Sequence, residues 1–202
     1  MTGGIAGIVL AGGRSARMGG GDKALLSLGG MPLLTRILDR VSPQVSPLAL
    51  NANGDPTRFE AFNLPVLADS IGGFEGPLAG VLTGMEWAAE YGAAYLATFP
   101  GDTPFLPTDL VGRLHAALVE RGADIAHARS GGRNHPVIGL WSVALAADLR
   151  HALVEEQIRK VGFWTARHCT VAVDFPTDPI DPFFNVNTPG DLTDAKALLA
   201  SL

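Results

Sequence analysis

Short apolar runs alternate with helical patterns along most of the chain. Ile5–Leu10 carries no charged residue and predicts a strand buried on both faces. Comparable runs predict strands at Pro47–Asn51, Leu64–Ala68, Tyr95–Phe99, Asp124–Ala128, Val137–Trp141 and Thr170–Asp174. Between them, apolar positions recur at three- and four-residue spacing. This predicts helices from Pro32 to about Val41, from Pro77 to about Tyr91, and onward from Pro107, where Leu110, Val111, Leu114, Ala117 and Leu118 form the repeating set. Further helices are expected over Val143–Glu156, Gly162–Arg167 and Pro189–Leu199, the last capped by Thr188. Proline suits a first helical turn, because the N–H it lacks would be unpaired there. Gly29-Gly30 predicts a turn before the first helix.

The alternation implies a single-domain α/β fold: a mostly parallel, twisted sheet covered by helices on both faces. In such sheets ligands bind beyond the carboxyl ends of the strands. Residues just after each strand are therefore the functional candidates. The proline-rich stretch Phe175–Pro182 reads as a surface loop.

Composition narrows the classes. With 202 residues, 47% hydrophobic and 17% charged, the chain is not of the disordered type. Its one cysteine, Cys169, excludes a disulfide framework or a Cys-rich zinc site and suits a reducing compartment, so a cytoplasmic location is expected. A net charge of −5 argues against a general nucleic-acid binder. The charge is uneven: residues 1–40 sum to +3 and the remainder to −8. A basic opening on an acidic chain suits a local anionic ligand. No run reaches the ~18 apolar residues of a membrane helix, and no positive charge precedes Ile5–Ala11 as in a signal peptide. Neither a membrane nor nucleic acid is an expected partner.

The first strand runs into a loop with five glycines among residues 12–21 and with Arg14, Arg17 and Lys23 against Asp22. Backbone N–H groups in such a loop can cradle phosphate oxygens, and three cations suit a triphosphate. The loop is not a P-loop, because Lys23 is followed by Ala24 rather than a hydroxyl residue. Gly19-x-Gly21-x-x-Ala24 lies too far past Leu10 for a dinucleotide fingerprint. Asp102 follows the Tyr95–Phe99 strand in a turn bracketed by Pro100 and Pro104, well placed to hold magnesium. Asn51 and Asp69 end two other strands, where an amide or carboxylate can meet a purine edge or a sugar. The histidines show no metal-ligand spacing, and Trp87, Trp141 and Trp164 read as core or pocket-wall aromatics.

Leu10-Ala11-Gly12-Gly13-x-x-x-Arg17-Met18-Gly19 with Asp22-Lys23 resembles the loop of nucleotidyltransferases that join a nucleoside triphosphate to a phosphorylated acceptor. Four further segments narrow this: Gly76-Pro77-Leu78-Ala79-Gly80, Pro100 to Pro107, His135-Pro136 leading to Gly139-Leu140-Trp141, and Asn185-Val186-Asn187-Thr188-Pro189. In that order they resemble the molybdenum cofactor guanylyltransferase family over nearly the whole chain. One departure is Gly101, where many members carry cysteine.

The resemblance implies a Rossmann-like nucleotidyltransferase fold, with GTP and molybdopterin (or Mo-molybdopterin) as substrates and magnesium as cofactor. It implies that GTP meets Leu10, Ala11, Gly12, Gly13, Lys23, Asn51, Asp69 and Asp102. Asp102 would hold the metal, and Arg17, Lys23 and Asp102 would carry the chemistry. Which of Asn51 and Asp69 reads the base stays open. Asn185 and Asn187 are placed near the pterin, one meeting the metal or acceptor and the other pinning the turn before Thr188. Arg159, beside Lys160, is a candidate for the acceptor's phosphate. Molybdenum-insertion proteins and molybdoenzyme chaperones are candidate partners. Rival readings are a cytidylyltransferase acting on a pterin or sugar phosphate, and a GTP-binding regulator without turnover.

Overall fold

The computed structural model describes residues 4–12, 22–73 and 76–200. Its main sheet has seven strands: β1 (Ile5–Leu10), β4 (Leu48–Asn51), β5 (Val66–Leu67), β6 (Tyr95–Pro100), β7 (Ile125–Ser130), β8 (Arg133–Ser142) and β9 (Thr170–Phe175). Two short strands, β2 (Ser27–Leu28) and β3 (Met31–Pro32), form a separate hairpin around the expected Gly29-Gly30 turn. The order across the main sheet is β5-β4-β1-β6-β8-β7-β9. Six strands share one direction and β8 alone runs against them. The register sets Leu10 beside Asn51 on one side and Pro100 on the other, with Asn51 beside Leu67. The carboxyl ends expected to bear the site thus lie along one edge.

The helices are α1 (Leu33–Val41), α2 (Pro77–Glu90), α3 (Leu110–Arg121), α4 (Ala146–Val154), α5 (Val161–Thr165) and α6 (Pro189–Ala200). They cover both faces of the sheet, as the two-residue period of the strands requires. In β1, Val9 packs into one core with Leu34 and Ile37 of α1 and Leu110 and Leu114 of α3. Its neighbours Ala6 and Ile8 pack into the other, with Leu78, Leu82 and Met85 of α2, Leu149 of α4 and Trp164 of α5. Trp87, Trp141 and Trp164 belong to this second core. Trp141 Nε1 donates to Thr98 Oγ1 at 2.8 Å and Trp164 Nε1 to Asp148 Oδ2 at 2.7 Å, so neither indole N–H is buried without an acceptor. No helix among the described residues is long and apolar enough to cross a membrane.

Several boundaries differ from the sequence expectation. β8 begins at Arg133, four residues before the expected start, because it pairs with β7 in a tight hairpin through Gly131-Gly132. The polar Arg133-Asn134-His135 gives no apolar run to announce it. Pro32 stands just before α1, and Pro107 accepts a turn bond from Leu110 rather than opening α3. Pro56–Phe62, unassigned from sequence, is a 3₁₀ helix that buries Phe59. Thr188 caps α6 as expected: its Oγ1 accepts from the Asp191 N–H, and Asp191 accepts from the Thr188 N–H in return.

Candidate active site

Beyond the carboxyl edge lies a cleft of about 620 Å³, lined by Leu10, Ala11, Gly12, Lys23, Ala24, Asn51, Asn53, Asp69, Gly76, Pro77, Pro100, Gly101, Asp102 and Val137. Its floor continues the strand pairing. The Ala11 N–H donates to Asn51 O at 2.9 Å, and the Gly101 N–H donates to Leu10 O at 3.0 Å. The approach is close at Gly101: a Cβ there would lie 2.9 Å from Leu10 O, so a larger residue requires the two strand ends to shift apart slightly. The expected positions Leu10, Ala11, Gly12, Lys23, Asn51, Asp69 and Asp102 meet in this one space, together with the Gly76-Pro77 helix entry. Gly13, Arg14 and Arg17 lie outside the described residues.

Lys23 begins a 3₁₀ turn at the end of the glycine-rich loop. Its ammonium donates to Asp102 Oδ2 at 3.0 Å and to Asn187 Oδ1 at 2.6 Å. The Lys23 and Asp102 side chains are 16% and 19% exposed, so their attraction is less screened than at an open surface. Among the described residues, Asp102 Oδ1 has a long contact, 3.4 Å, to Thr103 Oγ1, which lies 3.4 Å from Asn185 Oδ1 as well. Val186, between the two asparagines, is buried, and its N–H donates to Asp102 O at 2.9 Å. Both asparagines therefore serve the Asp102 neighbourhood, one through Lys23 and one through Thr103.

The wall made by β4 and β5 separates Asn51 from Asp69 in role. Asn51 is 7% exposed, and its amide donates to Leu67 O at 3.1 Å and to Asp69 Oδ1 at 2.9 Å. Asn53 Nδ2 donates to Asp69 Oδ2 at 2.8 Å while its Oδ1 accepts from the Asp69 N–H. Two amides thus orient one carboxylate. Gly80 of α2 makes room for this: a Cβ there would stand 2.3 Å from Asn51 Oδ1 and 2.8 Å from Leu10 Cδ2. Asn53 is not among the sequence candidates, although an Asn-x-Asn spacing at a strand end places two side chains on one side. Arg58 is a second addition. It pairs with Asp22 at 2.5 Å and donates to Asn53 O at 2.6 Å, tying the loop's end to this wall.

Arg159 is not brought to the cleft floor. It lines a separate depression of about 510 Å³ with Gln157, Ile158, Lys160, Phe163 and Arg167. Its carbonyl approaches the rim, 3.7 Å from where a Gly76 Cβ would stand.

Two histidines on the β7–β8 hairpin, His127 and His135, are held below the usual imidazole range chiefly because burial disfavours their charged form. Asp181 opposes the shift at His135, while Arg133 and His127 add to it; Asn134 opposes it at His127, while Arg129 adds to it. The unfolded chain therefore binds more protons than the folded chain as pH falls below about 6.5. Stability from this source is complete above that pH and is lost as pH drops through the lower folded-state values. The urea midpoint should fall between about pH 7.5 and pH 5.5, and the drop should shrink in a His127→Gln/His135→Gln variant. A midpoint equal at both pH values in the parent chain would contradict it.

A family model described as a MobA-like NTP transferase domain matches residues 7–169. The chain is 54% identical over 193 residues to the molybdenum cofactor guanylyltransferase of Rhodopseudomonas palustris, covering 95% of this chain and 90% of the relative. Molybdopterin-guanine dinucleotide biosynthesis protein A from Archaeoglobus fulgidus has a similar structure, with a TM-score of 0.77 at 22% identity over 98% of this chain and all of that one. A 4-diphosphocytidyl-2C-methyl-D-erythritol synthase from Anaerococcus prevotii also reaches 0.77, at 14% identity over 98% of this chain and 97% of its own. The fold is thus shared with a protein named for a cytidyl group, and fold alone does not select a base.

Proposed function

Because the chain belongs to the MobA-like NTP transferase family, we propose that it transfers GMP from GTP to the terminal phosphate of molybdopterin and releases pyrophosphate. One observation carries the reading: Lys23 and Asp102, far apart in sequence, pair in a cleft at the carboxyl edge of the sheet, with Asn187 bonded to the same ammonium. The close relatives named guanylyltransferase favour GTP over CTP.

A phosphomonoester has a second pKa near 6, so at neutral pH the attacking oxygen is largely deprotonated. It forms a bond to the α-phosphorus as the bond to the β-phosphate oxygen breaks, and no general base is needed. Catalysis then rests on positioning and charge. Lys23 neutralises the departing pyrophosphate, and Arg17 shares that work on sequence grounds. The α2 N-terminus, entering at Gly76 and Pro77, adds a positive dipole end to the cleft.

The donor set fits a divalent cation, which we take to be magnesium. Among the described residues, Asp102 Oδ1 meets only the long Thr103 contact, and no group of three or more His, Cys, Asp or Glu side chains is arranged for a metal. One carboxylate completed by substrate phosphates is a common magnesium arrangement. When bound, the cation offsets phosphate charge. Asp69 reads the guanine N1–H and exocyclic amine, and Asn51 holds Asp69 for that task. The single cysteine suits the cytoplasm.

The test is to supply the protein with magnesium, molybdopterin and GTP, CTP or ATP in turn, and to identify the joined nucleotide by mass. GMP transfer is expected. CMP transfer would establish the cytidylyl reading, and GTP binding without pyrophosphate release would establish a regulator. Asp69→Ala should shrink the preference for GTP over CTP by roughly tenfold or more, because a site built to accept hydrogen bonds discriminates through them. An unchanged ranking would move base selection elsewhere.

A further inference from the structure

Residues 181–188, between β9 and α6, form a strap without regular secondary structure, yet it is fastened along its length. At its start, Asp181 Oδ1 accepts from Ser130 Oγ at 2.9 Å and from the Phe183 N–H at 3.0 Å. Ser130 ends β7 and is 2% exposed, and its Oγ lies 2.9 Å from His135 Nε2 on β8. Phe183 packs against His135, with ring centres 4.8 Å apart, and edge-on against Phe175. Midway, Val186 is buried with Leu28, Leu33, Phe105 and Ala195, and its N–H is bonded to Asp102 O. At the far end the Asn187 and Thr188 N–H groups donate to Asp191, and Asn187 Oδ1 receives Lys23.

The proton assignment excludes a nucleophile. A hydroxyl has one hydrogen, and Ser130 gives it to Asp181. His135 must then donate from Nε2, so it is not a base accepting the serine proton. A surface loop of ordinary purpose does not require a buried hydroxyl satisfied on both sides by residues from two other elements. Leaving such a group unpaired costs stability, so the cluster fixes where the strap begins.

We propose that Asp181, Ser130 and His135 are positioning residues that clamp the strap so that Asn187 reaches Lys23 and Val186 holds the backbone of Asp102. The three act through the strap and touch no substrate. The inference rests on the proposed transfer reaction for its catalytic consequence, but its geometric core concerns nucleotide binding by Lys23.

The test pairs two substitutions at Asp181. Asparagine keeps Oδ1, which can accept both bonds, whereas alanine removes it. Asp181→Ala should weaken magnesium–GTP binding, measured by calorimetry, and lower the transfer rate, each by about tenfold. Asp181→Asn should stay within about twofold of the parent. In an Asn187→Ala background, Asp181→Ala should cost clearly less than it does in the parent, because the part of its influence that travels through Asn187 is already lost and only the Val186 route to Asp102 remains. Ser130→Ala, a smaller change, should follow the same pattern. Additive losses, an asparagine variant as impaired as alanine, or an Asp181→Ala protein indistinguishable from the parent would each overturn the proposal. The GTP-binding cycle does not depend on the acceptor, so failure of the parent protein to transfer GMP would sink the reaction and leave the strap separately judged.

Discussion

Lys23→Ala should lower the rate of nucleotidyl transfer by a factor on the order of 10²–10³, the usual loss when one charged donor is removed from a developing anion. The ammonium is the cation that the described residues place at the cleft floor, held between Asp102 and Asn187. Its removal has two effects. The leaving pyrophosphate loses a counter-charge, and the Asp102 carboxylate loses its partner in a part-buried setting. The second effect argues for adding Lys23→Arg, which restores charge but cannot place a compact ammonium between the same two oxygens. Arginine should recover only part of the rate. Turnover of Lys23→Ala near that of the parent would remove Lys23 from the chemistry.

Asp102→Asn carries the next largest effect. The substitution keeps the size of the side chain and one oxygen, so the cleft should stay intact. It removes the charge that would hold a divalent cation and that balances Lys23. Even indirect supports of metal ligands are worth 10–100-fold in affinity, so a direct ligand should cost at least about that much. The magnesium concentration giving half-maximal rate should therefore rise by on the order of tenfold or more, with a lower maximal rate. An unchanged magnesium titration would exclude Asp102 as a ligand. A rise in the half-maximal concentration with normal GTP binding in the absence of metal would separate the loss of the ligand from damage to the cleft.

Much of the site is legible in the sequence because its markers are local. A run such as Ile5–Leu10 announces a buried strand, and the residues just after a strand in an α/β sheet face the ligand edge. Asn51, Asp69 and Asp102 fall at or just after strand ends and Lys23 closes the glycine-rich loop that follows the first strand, and all four line one cleft. Legibility ends where a residue's role depends on its partners. Asn51 and Asp69 look equivalent as polar strand ends. The structure makes one the support of the other, because both donor hydrogens of Asn51 are spent on Leu67 and Asp69. Asn53 and Arg58 sit in a connection whose polar composition looks like any loop, and their use appears only when Asp69 and Asp22 approach them.

The amino-acid order by itself determined the α/β class, the strand edge along which the cleft lies, and the strand-end positions of Asn51, Asp69 and Asp102. These depend on hydrophobic period and on chemistry confined to a few neighbouring residues. Tertiary structure decided the reversed course of β8, the hydrogen bonding of Asn51 to Asp69, and the strap that delivers Asn187 to Lys23. Lys23 is 79 residues from Asp102 and 164 from Asn187. Contacts at such separation are selected by the packing of whole elements, and no local pattern encodes which distant partner a side chain will meet.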